Sequence, residues 1–383
     1  MLNIVGEPVG GVRRHVHTIL ACLSDEEFES SYAHSVVSTD SSFAEDLRIL
    51  RPRLKGLLPL QIRKKPGLDD ISTLWVLLQY VRKHRVHIVH GHGAKGGAYA
   101  RLLKLFADVA TIYTPHGGVL HDAFSSIERF FYLAIERQLM RLTDALVFES
   151  DYASGIYLTK IGKPGCPVVV NYNGVSPHSV RRTGLIPRQL KGDRQPGFHI
   201  GVFARLHPLK GQALAIEAIE RLRSESHPVV PGAIIYLHLF GSGPDEINLC
   251  AMVAKRKLGE CVLFHGEINN PEEVMSYLDA VLIPSRFESL PYVAIEALMV
   301  GIPVVATNVG GLREVLDCGC GILVDAVHPD ALAEGIKLLM ENSGLGQQLV
   351  ERGRLRYHAH FREDRMVSTL TDLYRRLKAN PGI

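Results

Sequence analysis

Little in this chain invites a nucleic acid, a zinc ion or a bilayer span. Its 383 residues include one Trp, and the formal net charge is +3, too small to suggest a nucleic-acid partner. The six Cys contain no C-x-x-C pair, and the one close couple, Cys318 and Cys320, has the spacing of no common zinc site. Buried, reduced thiols and a cytoplasmic setting are the expectation. No run of 18 apolar residues and no secretory leader is visible, so no segment reads as spanning a membrane. A Walker-type G-x-x-x-x-G-K is missing, and no G-x-G-x-x-G follows the first strand of either half, which argues against a nicotinamide dehydrogenase. No D-x-D stands suitably after a strand, no segment is of low complexity, and the halves share no detectable sequence repeat.

What is present is an ordinary globular composition, 46% hydrophobic and 22% charged, at a length that suits two domains. The charge is uneven: residues 1–185 hold 22 Lys/Arg against 17 Asp/Glu, the remainder 21 against 23. The front half is therefore the one expected to meet an anionic surface or acceptor. Apolar runs at 2–5, 32–38, 87–90, 110–115, 144–150 and 168–170 read as strands, with helical patterns between them. Asn173-Gly174 marks the turn that ends this series, and residues 177–197, rich in Pro, Arg and Ser, read as a linker. Six more strands follow at 199–205, 234–240, 261–267, 280–284, 303–307 and 321–324. Alternation of this kind predicts the α/β class, with two doubly wound parallel sheets, in domains at 1–176 and 198–360. The first strand is so short that the native start is expected upstream of Met1.

The richest stretch is RFESLPYVAIEALMVGIPVVATNVGGLREVL, residues 286–316. Glu288 is expected in the loop after a buried strand, and Glu296 one to two turns into the following helix. Ser289, Leu290 and Pro291 read as the helix start, so the Ser289 and Leu290 amides are expected to be free for an anion. Gly310-Gly311 offers a further close approach of backbone to a ligand. Taken alone, two acids at this spacing could equally be surface residues. Arg205 ends an earlier strand and Lys210 follows just before a helix; together they suit a diphosphate, although such a pair is more often a surface loop. Gly10-Gly11 opens the first helix, either as a phosphate-approach turn or as a plain tight turn. His116 ends a parallel strand, where a histidine is either a site residue or hydrogen-bonded core.

The two Glu, the apolar helix between them, the G-x-P and the Gly-Gly loop resemble the donor-binding motif of retaining glycosyltransferases of family four, with the GT-B fold. The resemblance extends over essentially the whole chain and is strongest over residues 200–316. It implies two Rossmann-like domains facing across a cleft, with a last helix, within 361–383, crossing back to the first domain. It also implies a nucleotide-sugar donor, most commonly a UDP-sugar, and transfer of a hexose-type sugar with retention. Carried over residue by residue, Glu296 meets the ribose and Glu288 the donor sugar. His116 steadies the sugar and its phosphate, and Gly10 and Gly11 lie near the donor phosphates. Arg205, Lys210 and the Ser289 and Leu290 amides would neutralise the leaving diphosphate, so that no metal and no cofactor is expected. The rivals are a nucleotide-sugar 2-epimerase of the same fold and a non-catalytic nucleotide-sugar-binding module.

Two further features stand apart. Seven Lys/Arg and no acid lie between Arg48 and Lys65, interleaved with Leu and Ile. This reads as a solvated basic loop or as a patch attracted to anionic lipid, which suits a lipid-linked saccharide acceptor for surface polysaccharide and peripheral contact with the inner face of a membrane. His84, His87, His90 and His92 resemble a metal cluster, yet no carboxylate stands in register with them, and structural or surface roles are expected. Arg13, His15 and Lys95 are weaker acceptor candidates, with solvated helix faces as the expectation for the first two.

Overall fold

The computed structural model describes residues 1–40, 42–116, 126–177, 186–224, 234–269, 271–325 and 327–379. They form two compact units, Met1–Asn173 with Glu363–Ile383, and Gly174–Arg362. The glycines after His116 and residues 178–185 of the expected linker lie outside the described residues.

The first unit is a seven-stranded parallel sheet of β1 (Leu2–Val5), β2 (Ser31–Ser35), β3 (Gly56–Leu60), β4 (Ile88–His92), β5 (Ala110–Thr114), β6 (Ala145–Phe148) and β7 (Val168–Val170), in the order β3-β2-β1-β4-β5-β6-β7. Helices cover both faces. Gly10–Cys22 packs against Phe43–Leu50 and the C-terminal helix Glu363–Ala379 in one layer. Asp69–Lys83, Gly93–Leu103 and Ser126–Met140 form the other. Burial on both faces is why β1, β5 and β6 are buried along their whole length rather than alternating. The C-terminal helix belongs to this unit through Met366, Leu370, Leu373 and Tyr374, which pack with Ile19, Ile88 and Val147.

The second unit carries β8 (Phe198–Phe203), β9 (Ile235–Phe240), β10 (Val262–Gly266), β11 (Ala280–Ile283), β12 (Val304–Thr307) and β13 (Ile322–Val324), all parallel, in the order β10-β9-β8-β11-β12-β13. Its core is built from Ile200, Val202, Leu237 and Leu239 of the central strands with Ile216, Ile219, Leu332 and Ile336 of two helices. Both sheets reverse strand order once, between β1 and β4 and between β8 and β11. At such a point the loops on the two carboxyl ends diverge and leave a crevice for ligands.

Three expectations need correction. The basic stretch from Arg48 to Lys65 is not a loop: it spans the end of a helix, a short turn and the edge strand β3. Leu54, Leu58, Leu60 and Ile62 within it are buried, so their apolar side chains are core and cannot dip into a headgroup layer. The linker at 177–197 holds a short helix, Arg188–Lys191, that buries Leu190. The helix after Glu288 starts at Tyr292 with Pro291 as its cap, later than expected.

Candidate active site

The carboxyl edge of the second sheet brings together residues that the sequence holds far apart. Lys210 follows β8 and Glu288 follows β11, so the two meet at the point where strand order reverses. Lys210 Nζ donates to Glu288 Oε1 at 2.7 Å, and the Ser285 hydroxyl donates to the same oxygen at 2.7 Å. The Glu288 side chain is 8% exposed and that of Lys210 is 32% exposed, so the ammonium faces outward over a sequestered carboxylate. Two glycines allow this approach. Gly211 has φ +73, and a Cβ there would lie 1.9 Å from the Pro284 carbonyl oxygen. A Cβ on Gly311 would lie 1.8 Å from the Ser289 carbonyl oxygen. Either side chain would drive apart loops that backbone bonds hold together: Arg286 N–H to Leu209 O at 2.8 Å and Gly311 N–H to Glu288 O at 3.1 Å.

Arg205 lies in the same segment as Lys210 but is exposed and makes no ion pair among the described residues. Its carbonyl accepts from Gln212 Nε2 at 2.9 Å. Glu296 sits in the second turn of helix Tyr292–Val300 and is buried. Ser289 and Leu290 precede the cap residue, so they are not the first-turn donors that the sequence suggested. The Ser289 hydroxyl is buried and has no hydrogen-bond partner among the described residues.

On the first sheet the reversal point gathers imidazoles. His116 follows β5 with φ +50, a left-handed conformation that costs a non-glycine residue energy and is kept only where the surroundings impose it. Its Nδ1 lies 2.7 Å from Glu149 Oε2, just after β6. The carboxylate accepts that N–H, which fixes the orientation of the ring. His92 Nδ1 lies 3.2 Å from His116 Nε2, and His92 Nε2 lies 3.1 Å from Asn3 Oδ1; a neutral His92 has one ring N–H and donates to only one of them. His15 Nδ1 meets Asn173 Oδ1 at 2.9 Å, and its ring stands edge-on to His116 at 4.7 Å. Close polar contacts thus run from Asn3 through His92 and His116 to Glu149. His15, His92 and His116 each offer a ring nitrogen, all within 4.8 Å of one another, and are the one group among the described residues that could hold a metal ion.

These contacts revise several readings. His15 and Arg13 are not on a solvated face: both are buried, and Arg13 pairs with Asp40 and Asp46. The Gly10 amide donates to Asp40 Oδ2 at 2.8 Å, so it is already engaged; that of Gly11 is a first-turn donor without an intrahelical partner. The histidine quartet divides: His84 and His87 are exposed, His90 is core, bonded to Tyr374 and Thr114, and His92 alone joins the site. Lys95 is paired with Asp70. Glu149 was missed, although it ends strand β6 one position beyond its last residue, much as His116 stands beyond β5.

Burial pushes His15 down to about 3, with the neighbouring His116 as the next cause. His92 and His90 are also held well below the usual imidazole value by burial. The unfolded chain binds these protons from about pH 6.5 downward while the native protein does not. Stability is therefore fully present above pH 6.5 and falls as the pH drops toward 3, by up to tenfold in the folding constant per pH unit for each such histidine. Urea titrations at pH 7 and 5 should show this loss, and equal midpoints would refute it. Glu149→Gln is expected to lower turnover on the order of ten- to a hundredfold by releasing the His116 tautomer, with Glu149→Asp intermediate and the pH profile displaced. A Glu149→Gln enzyme with an unaltered profile would remove this positioning role.

Two family profiles together account for most of the chain: Glycosyltransferase Family 4 over residues 9–179 and Glycosyl transferases group 1 over residues 191–356. The chain is 35% identical to the D-inositol 3-phosphate glycosyltransferase of Paenarthrobacter aurescens over 160 residues, 40% of this chain and only 38% of that protein. It is 26% identical to the O-antigen biosynthesis glycosyltransferase WclY of Escherichia coli over 299 residues, 76% of this chain and 80% of that one. Among solved structures, Anabaena Alr3699/HepE in complex with UDP-glucose superposes with a TM-score of 0.78 at 18% identity, covering 98% of this chain and 99% of that one, a likeness of fold. The Lys210–Glu288 loop pair falls within the group 1 match and His116 within the family 4 match, and the chain belongs to the family 4, group 1 glycosyltransferases with the GT-B fold, as a transferase that uses a nucleotide sugar.

Proposed function

We propose that the chain transfers a hexose from a UDP-sugar to a lipid-linked saccharide, with retention of anomeric configuration and without a metal ion. The observation that carries this reading is the Lys210–Glu288 pair at the reversal point of the second sheet. In transfer, the bond from the anomeric carbon to the β-phosphate oxygen breaks and its electron pair stays on the diphosphate. The acceptor oxygen bonds to that carbon as its proton leaves, with the departing phosphate as the base on the same face. Negative charge grows on the diphosphate, and the Lys210 ammonium with the exposed Arg205 neutralises it more strongly there than in the ground state. Glu288, oriented by Lys210 and Ser285, accepts from donor-sugar hydroxyls, and Glu296 accepts from the ribose. His116, oriented by Glu149, steadies the sugar and its phosphate.

UDP is supported by the similar structure that holds UDP-glucose. A saccharide acceptor is supported by the O-antigen biosynthesis relative and by the basic front half. A thermal-shift panel of nucleoside diphosphates and their sugars tests the donor. UDP compounds should raise the midpoint most, by the equivalent of about 2.7 kcal/mol at a hundred times Kd. Glu296→Ala should weaken that shift. No response to any nucleoside diphosphate, or turnover abolished by a chelator, would sink the reading.

A further inference from the structure

The helix Asp69–Lys83 is apolar on two sides. Its inner side buries Leu77, Leu78 and Val81 among core residues of the first unit. Its outer side exposes Ile71 at 69%, Val76 at 45% and the chain's single Trp, Trp75, at 60%, with Leu68 at 86% just ahead of the first turn. Positions 68, 71 and 75 recur at helical spacing and form one stripe. A solvated helix carries polar residues there. The segment leading into this helix supplies Arg63, Lys64 and Lys65, all exposed. Arg63 is partly offset by Asp69 at 3.3 Å and Lys64 by Glu7 at 3.9 Å, while Asp70 is taken by Lys95 and Tyr99. Positive charge therefore borders the stripe.

Position adds to composition. A helix joining two parallel strands runs against them, so its first turns lie at the carboxyl edge of the sheet, the edge that holds His92 and His116. Helix Ser126–Met140 in the same layer also starts at that edge and exposes Phe130 at 66% and Phe131 at 60%. Among the described residues no helix is long and apolar enough to cross a membrane.

We propose that the outer stripe of helix Asp69–Lys83, with Arg63, Lys64 and Lys65, is the surface by which this protein sits on an anionic bilayer. Trp75 and Ile71 enter the headgroup boundary while the three cations meet lipid phosphates. An indole suits that depth because its ring is apolar and its N–H is not. Apolar insertion and basic attraction are the two signals that together hold a peripheral protein. The basic border favours anionic lipid over a second copy of the chain, whose matching face would bring like charges together. The inference rests on the lipid-linked acceptor reading; of the expected basic stretch Arg48 to Lys65 it keeps Arg63, Lys64 and Lys65, and it takes the apolar contact from this helix instead of the buried Leu54, Leu58, Leu60 and Ile62.

Because Trp75 is the only Trp, its emission reports this surface alone. With the full-length protein, phosphatidylglycerol vesicles should shift Trp75 emission to the blue and carry the protein to the top of a flotation gradient. Pure phosphatidylcholine vesicles should do neither, and 0.5 M salt should weaken the effect. Ile71→Glu and the double change Lys64→Glu with Lys65→Glu should each cut flotation at least tenfold, with thermal midpoint and UDP-sugar hydrolysis unchanged. Unmoved emission with anionic vesicles would overturn the proposal, as would a blue shift that follows protein concentration without vesicles. Flotation without transfer to a lipid-linked acceptor would sink the acceptor reading and leave this surface standing. Transfer without flotation would do the reverse.

Discussion

Lys210→Ala should lower turnover on the order of 10²- to 10³-fold, the usual loss when one fixed donor to a developing charge is removed. Two effects combine. The diphosphate loses a cation aimed at its growing charge. Glu288, only 7% exposed, also loses its Lys210 contact and keeps the Ser285 hydroxyl on the same oxygen. An enclosed carboxylate with a partner removed turns toward water, so its hold on the donor sugar fails as well. The two can be separated. If Lys210 acts mainly in the transition state, kcat falls far more than UDP affinity. Lys210→Arg should restore part of the rate, because a cation returns with a different shape. The double variant with Glu288→Gln should lose less than the two single losses combined, since the residues act as a unit. A Lys210→Ala enzyme within twofold of the parent rate would remove the central contact from the mechanism.

Glu136→Ala should cost about 3–5 kcal/mol of stability in the first unit, enough to leave much of a marginal domain unfolded. Glu136 grips Arg101 with both oxygens, Nη1–Oε1 at 2.5 Å and Nη2–Oε2 at 3.0 Å, and accepts from Tyr157 at 2.8 Å. Arg101 also donates to Gly97 O at 2.9 Å and lies over the Tyr113 ring at 3.9 Å. Neither charged side chain reaches water, at 0% and 4% exposed. Removing the carboxylate strands a guanidinium that cannot lose its proton. Replacing both partners, Arg101→Met with Glu136→Leu, should cost far less, because no charge is then left buried. Urea unfolding of both variants is the measurement, and a Glu136→Ala loss below 1 kcal/mol would show that the pair is not isolated from solvent.

Much of the fold could be read ahead of the structure wherever a pattern was local. All six strands of the second sheet were placed to within two residues at most boundaries, because each is a short apolar run ended by glycine, proline or charge. Strand β3 escaped because its flanking Lys and Arg outweighed a five-residue core run, GLLPL, at the sheet edge. At the site, Glu288, Lys210 and His116 could be named from their places after strands. The Lys210–Glu288 contact could not, since it links loops 78 residues apart. His15 was misread for the same reason. Helical spacing shows that a residue lies on a face but not what covers it, and its cover includes Asn173, 158 residues away.

Spacing along the chain was enough to assign the α/β class and the glycines and charged residues that end its strands, because period and turn chemistry act over a few bonds. Which of those residues touch was decided by strand order: 3-2-1-4 in each sheet sets the loop after the first strand beside the loop after the fourth, and β4-β5-β6 in the first sheet lines up the strand ends of His92, His116 and Glu149. Strand order follows from how two apolar faces are covered at once, a property of the packed whole, and so the Lys210–Glu288 pair and the His92–His116–Glu149 contacts exist only in three dimensions.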